Sequence, residues 1–330
     1  MIRLFLTLAL VGLALPATAK TKLKLATLAP KGSIFHTVMM ELGETWKTLS
    51  DDQVELKLYP GGVAGDDKDV VRKMRLGTMD GGLLTMAGFA AVHEGIHALV
   101  LPLFYANDAE LEAVIEGLRG DLDQAYADQG FVALTYISGG WVRFFTATPG
   151  CTPDEMKAKK LFVFADSPVE KLWRDAGYSP VPLPATEIST ALQTGLINAL
   201  PSTPQATLLM QWNKHVPYVC EAHWAPMVGG ILVRKEAWES IDAGLREKLK
   251  AAAVAAGNKL REEAKVSESS ALAAMVERGM TVVPMDAALR AVWQQSTEAR
   301  YDKIRGGFTP EAFFDKAKAL RDAYRALPPK

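Results

Sequence analysis

The sequence Gly139-Gly140-Trp141-Val142-Arg143-Phe144-Phe145 opens a stretch, residues 139–204, whose pattern decides the fold. The stretch continues through the apolar run Leu161-Phe162-Val163-Phe164 and closes with Ser202-Thr203-Pro204. Apolar runs, turn residues and amphipathic segments follow each other along it in the order strand, loop, strand, helix, strand, helix. Strands that alternate with helices favour an α/β architecture with a mostly parallel sheet.

The same alternation extends to both sides of this stretch. Residues 22–27 and 54–59 alternate between polar and apolar side chains, as half-buried strands do, and Ser33 can cap a helix between them. Towards the other end, an amphipathic segment from Asp242 to about Arg278, with Gly279 behind it, predicts one long helix. Two further helices are predicted over residues 287–304 and 310–326.

Residues 1–19 have the features of a secretory signal peptide that is removed from the mature chain. Arg3 supplies the positive charge, residues 4–15 form a short apolar run, and Ala17-Thr18-Ala19 is a small-residue cleavage signal. The apolar run is shorter than the ~18–20 residues that a membrane-spanning helix needs. We therefore expect a mature chain exported to the periplasm.

Length and charge limit what the mature chain can be. Without residues 1–19 it has 311 residues, with 36 basic and 38 acidic side chains. This near-neutral balance argues against binding to nucleic acid or to an anionic membrane surface. The length suits two lobes of roughly 100–150 residues each.

The chain contains two cysteines, Cys151 and Cys220. In an exported protein an even number favours a disulfide, which here would close a loop of about 70 residues and stabilise the fold by up to ~4 kcal/mol. Two separate buried thiols are the alternative, because the sequence does not show whether the two sulfur atoms meet.

The segment His93-Glu94-Gly95-Ile96-His97 matches the His-Glu-x-x-His pattern of zinc metalloproteases. The pattern works on an α-helix, where both histidines share a face and the glutamate acts as a general base. Here Gly95 interrupts the segment, Pro102 follows closely, and no long amphipathic helix surrounds it. Loop histidines are therefore the preferred interpretation, and an exported zinc hydrolase is the alternative.

Several motifs occur in a fixed order between residues 22 and 285. They are Leu-Tyr-Pro-Gly-Gly-Val-Ala-Gly-Asp at 58–66, Arg-Leu-Gly-Thr-Met-Asp at 75–80, Leu-Pro-Leu-Phe at 101–104, and the segments 150–160 and 182–195. In this order they resemble the motifs of the extracytoplasmic solute-binding proteins of tripartite ATP-independent periplasmic (TRAP) transporters, of the dicarboxylate-binding type. Each motif is weak alone, but the ordered set is specific.

The resemblance implies a two-lobed α/β fold with mixed, mostly parallel sheets and one long helix, residues 242–278, that bridges both lobes. Residues 20–138 plus about 225–255 would form lobe 1, and residues 139–224 plus about 256–285 would form lobe 2. Residues 286–330 would add C-terminal helices packed on the lobes. A small molecule would bind between lobes that close by a hinge motion.

The resemblance also implies a binding protein and not an enzyme, without a cofactor. Its macromolecular partners would be the small and large subunits of a membrane permease, and we expect a monomer. A binding protein for a lipid-handling or sensory partner is an alternative that the sequence does not separate from this one.

This sequence departs from the family at the positions that hold a substrate carboxylate. The family's clamp arginine falls in the strand that is here the apolar run 161–164, and no arginine occurs between Arg143 and Arg174. A second family arginine aligns with Val142. Arg143 follows one position later, where strand alternation points it the other way.

The remaining family positions have also lost their polar groups. The family's pocket asparagine aligns near Leu28, its pocket carboxylate aligns with Thr85, and its Glu-Asn-Pro motif becomes Ser202-Thr203-Pro204. An unpaired carboxylate would be costly to bury in such a pocket, whereas buried apolar surface gains ~25 cal/mol per Å². The substitutions therefore predict a neutral or largely apolar ligand.

The predicted ligand site combines aromatic walls with a few polar contacts. We expect Trp141, Phe35 and one of Phe162 and Phe164 in the walls, the other phenylalanine being a core residue because strand neighbours face opposite sides. The complete set of predicted site residues is Leu28, Phe35, Thr85, Trp141, Arg143, Phe162, Phe164, Asp166, Thr203 and Gln205.

Overall fold

The computed structural model describes residues 20–328, so the predicted signal peptide over residues 1–19 lies outside the described residues. The strands of this part are β1 (Thr21–Thr27), β2 (Val54–Tyr59), β3 (Gly81–Thr85), β4 (Phe131–Thr146), β5 (Lys160–Phe164), β6 (Ser179–Leu183), β7 (Ala199–Ser202), β8 (Tyr218–Cys220), β9 (Ala225–Arg234) and β10 (Thr281–Val283).

The α-helices of the same residues are α1 (Ile34–Leu49), α2 (Asp67–Arg75), α3 (Met86–Ala90), α4 (Asp108–Asp128), α5 (Pro153–Lys157), α6 (Val169–Asp175), α7 (Ile188–Gln193), α8 (Pro204–Leu209), α9 (Lys235–Glu239), α10 (Ala243–Glu277), α11 (Ala287–Glu298), α12 (Tyr301–Gly307) and α13 (Glu311–Arg325). Short 3₁₀ helices cover Glu94–Leu99, Ala185–Glu187 and Trp212–Lys214. None of the helices within residues 20–328 is long and apolar enough to cross a membrane.

The strands form a mixed sheet in the order β2-β1-β3-β9-β4-β7-β5-β6, with β8 paired to β4 and β10 paired to β8. Lobe 1 contains the parallel strands β2, β1 and β3, and lobe 2 contains the parallel strands β7, β5 and β6. The antiparallel strands β9 and β4 lie between these groups. This arrangement confirms the predicted two-lobed α/β fold.

Strand β4 belongs to both lobes. It pairs with β9 from Phe131 to Val142 and with β7 from Arg143 to Thr146. The register with β9 shifts between Ser138 and Trp141, where Gly140 has a φ of 98°. Such a bulge bends the strand and increases its twist, so the crossing between the lobes is built around it.

Helix α10 is the predicted bridging helix. It has 35 residues, which gives a length of about 50 Å. The Asp242 side chain caps its start by accepting a hydrogen bond from the Leu245 N–H, and Gly279, with a φ of 97°, follows its end. Leu249 packs into the core of lobe 1 and Met275 into that of lobe 2, so one rigid element spans both lobes.

The local structure differs from the sequence prediction in two places. The helix predicted over residues 287–304 is two helices, α11 and α12. The α-helical hydrogen-bonding pattern is interrupted at Arg300, whose N–H donates to the Thr297 carbonyl three residues back. The three-residue strand β8, which pairs with β4 and β10, is not predicted from the sequence pattern. The helix break has a local cause, whereas β8 exists only through its tertiary pairing.

The predicted disulfide joins Cys151 to Cys220, whose Cα atoms are 5.8 Å apart. Both residues are 2% exposed and belong to the lobe 2 core. The bond ties the segment before α5 to β8.

Candidate ligand-binding site

A cavity of about 330 Å³ lies between the lobes, and we name it the interlobe cavity. Lobe 1 contributes the segments that follow β1 and β2, the end of β3, and the glycine-rich middle of β9. Lobe 2 contributes β5, the end of β7 and one face of α8. Carboxyl ends of parallel strands are where open α/β sheets place their ligands, so the topology alone favours this location.

The described residues that line the interlobe cavity include no charged side chain. Its polar side chains are those of Thr27, Thr85, Thr186, Ser189, Ser202, Thr203 and Gln205. The other lining residues are apolar or glycine. The cavity therefore offers a ligand apolar contact area and a small number of uncharged hydrogen-bonding groups.

Seven of the predicted site residues line this cavity, namely Leu28, Phe35, Thr85, Phe162, Phe164, Thr203 and Gln205. The rings of Phe162 and Phe164 meet edge to face, with their centroids 5.2 Å apart. The expectation that one of them faces away is corrected, because residues two positions apart in a strand point to the same side. Both phenylalanines therefore form the wall.

The other three predicted residues lie outside the cavity lining. The Trp141 indole N–H donates to Asp108 Oδ1 at 2.8 Å, and its ring stacks on His223. Arg143 lies beside Glu268. Asp166 is exposed in the turn after β5, with a φ of 53°. The bulge at Gly140 turns the Trp141 side chain towards α4 instead of the cleft.

Thr85 is held by a buried carboxylate. Its hydroxyl donates to Asp67 Oδ2 at 2.6 Å, its N–H donates to the same oxygen at 2.8 Å, and its Oγ1 accepts from the Ala87 N–H. Asp67 is 3% exposed, and its burial raises its pKa to about 6. The hydrogen-bonding capacity of Thr85 is thus used within the protein.

Gln205 and Thr203 are better placed to contact a ligand. Thr203 Oγ1 accepts from the Ala206 N–H as the cap of α8, which leaves its hydroxyl hydrogen available. The half-buried Gln205 side chain makes no hydrogen bond to any described residue. Because both lie at the start of α8, a polar group of the ligand would sit near this helix.

The two lobes touch beside the cavity. Lys68 of α2 donates to the carbonyl of Ala165, which follows β5 in lobe 2. Gly62, with a φ of 73°, lies so close to lobe 2 that a Cβ there would be 3.2 Å from the Thr186 methyl group. These contacts close the cleft on one side.

A second cavity, of about 180 Å³, lies on the other side of Phe162 and Phe164, and we name it the aromatic cavity. Its wall includes Trp173, Tyr178, Trp224 and Trp293, and it shares Thr85, Phe162, Phe164, Pro201 and Met227 with the interlobe cavity. This cavity was not predicted from the sequence. A helical spacing relates four of its lining residues, at positions 293, 297, 300 and 304. This spacing in the sequence indicates that the four side chains share one face.

The His93–His97 segment does not form the arrangement of a zinc protease. Its last four residues begin the 3₁₀ helix Glu94–Leu99, in which residues i and i+3 eclipse, so residues i and i+4 do not share a face. His93 Nδ1 accepts from the Gly95 N–H, whereas His97 Nδ1 donates to the Phe308 carbonyl at 2.6 Å. Burial lowers the pKa of His97 to about 4.

Among residues 20–328, no group of three or more His, Cys, Asp or Glu side chains could hold a metal ion.

Two α/β lobes, crossing strands, a bridging helix and a cavity between the lobes together define a two-lobed solute-binding protein. Residues 25–306 match the family model described as bacterial extracellular solute-binding protein, family 7. The chain belongs to this family.

Solute-binding proteins from other bacteria are similar to the chain over most of its length. The C4-dicarboxylate-binding periplasmic protein DctP of Rhodobacter capsulatus is 22% identical over 91% of this chain and 90% of that protein. The sugar acid binding protein DctPAm of Advenella mimigardefordensis strain DPN7T, in complex with galactonate, has a TM-score of 0.86 at 16% identity, covering 92% of this chain and 99% of that one. An apo open TRAP periplasmic solute binding protein of Rhodobacter sphaeroides has a TM-score of 0.75 at 18% identity, with 92% and 99% covered.

Proposed function

We propose that this chain is the periplasmic binding component of a TRAP-type transporter that captures a small neutral or largely apolar molecule. The molecule binds in the interlobe cavity and is delivered to the small and large subunits of a membrane permease. The observation that carries the proposal is the absence of charged side chains among the described residues that line this cavity.

The electrostatics of the cavity disfavour an anion. A bound carboxylate would exchange its hydration for aliphatic and aromatic surface, at a cost that an arginine fork would normally offset. In the strand where the family resemblance places its clamp arginine, this chain has the apolar run 161–164, and Phe162 and Phe164 of this run line the cavity. Phe162 is 2% exposed and lines the cavity, so this strand presents an aromatic ring to the cavity and no guanidinium.

Size and polarity describe the ligand further. The volume of about 330 Å³ lies at the lower end of the roughly 300–1,000 Å³ that small-molecule pockets occupy. Phe164, Trp212 and Met210 supply apolar walls, and Gln205 with Thr203 supplies hydrogen bonds at one end. A compact cyclic or branched molecule with one hydroxyl or carbonyl group fits this distribution.

Calorimetric titration against two sets of probes tests the proposal. The neutral set is cyclohexanol, benzyl alcohol and camphor, and the anionic set is succinate and galacturonate. We expect at least one neutral probe to bind with one-to-one stoichiometry and more tightly than either anion. Tighter binding of succinate or galacturonate than of every neutral probe would refute the proposal.

A matched pair of variants locates the binding. Phe35→Ala removes a half-buried ring that lines the interlobe cavity alone, and Phe313→Ala removes a half-buried ring that lines neither cavity. We expect the first variant to weaken the neutral probe by at least about tenfold, since burying a Phe side chain contributes ~1.5–3 kcal/mol. The second variant should bind like the wild type.

A further inference from the structure

The aromatic cavity has a composition that the interlobe cavity lacks. It lies where three parts of the chain meet: lobe 1 near Met86 and Pro102, lobe 2 from Phe162 to Tyr178, and the C-terminal helices from Trp293 to Phe308. Of the described residues that line the two cavities, Arg300 alone is charged. A single positive charge beside apolar and aromatic surface is costly to bury unless an anion pairs with it.

The wall of this chamber is a continuous aromatic surface. The Trp173 ring lies 4.6 Å from that of Tyr178 and 5.5 Å from that of Trp224, and Trp224 lies 5.3 Å from Trp293, measured between centroids. The Trp293 N–H is already bonded to the Cys151 carbonyl at 2.7 Å, which fixes that ring in place. Fixed rings at these separations favour stacking or edge contacts with another planar ring.

Arg300 has unused hydrogen-bonding capacity. Its Nη1 donates to the Ser296 carbonyl and, at 3.0 Å, to Ser296 Oγ, four residues earlier at the end of α11. In residues 20–328 its Nε and Nη2 have no hydrogen-bond partner among protein groups, and the ion pairs of these residues do not include Arg300. By contrast, Arg261, Arg305 and Arg325 each pair with a carboxylate.

A half-buried guanidinium without a carboxylate is suited to an external anion. Its planar fork matches the two oxygens of a carboxylate, and its charge strengthens both hydrogen bonds. The volume of about 180 Å³ is below the roughly 300 Å³ at which drug-sized pockets begin, so the occupant is small.

We infer that the aromatic cavity is a second binding site, which takes a small aromatic monocarboxylate. Its ring lies among Trp173, Trp224 and Trp293, and its carboxylate pairs with Arg300. The two cavities share part of their wall, so the two assignments are separated by residues that line one cavity alone: Arg300 and Ala176 line the aromatic cavity, and Ala206 lines the interlobe cavity. With variants at these residues, either assignment can fail without the other.

Titration with benzoate, compared with its neutral isostere benzamide, tests the inference. Tryptophan fluorescence and calorimetry should both report one benzoate per chain, bound more tightly than benzamide. Arg300→Gln should weaken benzoate by about 10- to 100-fold, the value of a hydrogen bond to a charged group, and should remove the preference over benzamide. Arg278→Gln, at an exposed arginine that lines neither cavity, is the matched control and should bind like the wild type.

Two filling variants locate the benzoate. Ala176→Phe fills the aromatic cavity, and Ala206→Phe fills the interlobe cavity. We expect benzoate binding to be lost in the first and kept in the second, with circular dichroism confirming that both are folded. Undetectable benzoate binding to the wild type, wild-type affinity in Arg300→Gln, or loss of binding in Ala206→Phe but not in Ala176→Phe would each overturn the inference.

Discussion

The Arg143 guanidinium lies 3.6 Å from the Glu268 carboxylate of α10, at the point where β4 crosses between the lobes. Both side chains are mostly buried. Glu268 also accepts a hydrogen bond from the Trp141 N–H and lies 3.3 Å from His223. Burial alone would raise the pKa of Glu268, but these neighbours hold it below its ordinary value. Arg143, which follows the position of the family's second arginine, thus forms an ion pair where the strands cross.

Arg143→Gln should therefore affect stability and not ligand binding. Removing the guanidinium leaves a buried carboxylate with fewer partners, a change that typically costs about 3 kcal/mol. Urea unfolding should report this loss, while the affinity for the neutral probe changes less than twofold. A double-mutant cycle with Glu268→Gln is the control, and the double variant should recover part of the lost stability. A tenfold loss of affinity in folded Arg143→Gln would place Arg143 in the ligand site instead.

Phe162→Arg introduces a guanidinium into the wall of the interlobe cavity. The new charge is partly desolvated, and no carboxylate among the described lining residues can pair with it. A bound anion would therefore be stabilised there. We expect the variant to bind the neutral probe more weakly than the wild type does. Its affinity for succinate should rise by at least about tenfold, which corresponds to the free energy of one charge-assisted hydrogen bond. Phe162→Met, which keeps the wall apolar, should retain the neutral probe and gain nothing. The account would be contradicted by a Phe162→Arg protein that binds the neutral probe normally.

Asp67 predicts a distinctive pH dependence. Its pKa is raised to about 6 in the folded protein by burial, against ~3.9 in an unfolded chain. The native state therefore holds a proton that the unfolded state releases first, so this group's contribution to stability is full below pH ~4 and is lost as the pH rises to ~6. The Asp67→Asn variant keeps an acceptor for Thr85 and lacks the titration.

The difference in unfolding free energy between wild type and Asp67→Asn should thus favour the wild type at pH 4 relative to pH 7, by about 2 kcal/mol. His97 acts in the opposite direction over an overlapping range, because its pKa is lowered to about 4. Comparing the two proteins at each pH cancels the His97 contribution. Parallel pH profiles would show that Asp67 does not titrate as described.

The disulfide between Cys151 and Cys220 should contribute substantially to stability. The loop that it closes has about 70 residues, for which the chain-entropy model gives about 4 kcal/mol. A Cys151→Ser, Cys220→Ser double variant should lose this amount in urea unfolding, and wild type unfolded in the presence of a reductant should match it. A loss below about 1 kcal/mol would indicate that the reduced chain keeps the same loop closed in its unfolded state.

The fold was largely predictable because its signals are local. Asp242 and Gly279 mark the two ends of α10, and residues 22–27 and 54–59 show the alternation of half-buried strands. Strand β8 was missed because its three residues carry no period, and it exists through pairing with β4 and β10. The order of the strands likewise depends on contacts distant in sequence.

The site was predictable only where strand ends determine it. Phe164, Thr85 and Thr203 follow from their places at the ends of strands, whereas Trp141 did not, because the bulge at Gly140 interrupts the alternation on which its placement rested. Arg300 enters the aromatic cavity because the C-terminal helices fold back across both lobes. The helical spacing of residues 293, 297, 300 and 304 groups them on one face, but it does not show which part of the chain that face contacts.

Native mass spectrometry of the protein purified from its periplasm, without refolding, tests the central claim most directly. The account predicts that any small molecule released from the interlobe cavity is neutral at pH 7 and carries no carboxylate. Its mass should disappear from the spectrum of Ala206→Phe, which fills that cavity, and persist in Phe313→Ala. A C4-dicarboxylate or a sugar acid bound to the wild type and lost in Ala206→Phe would contradict the account.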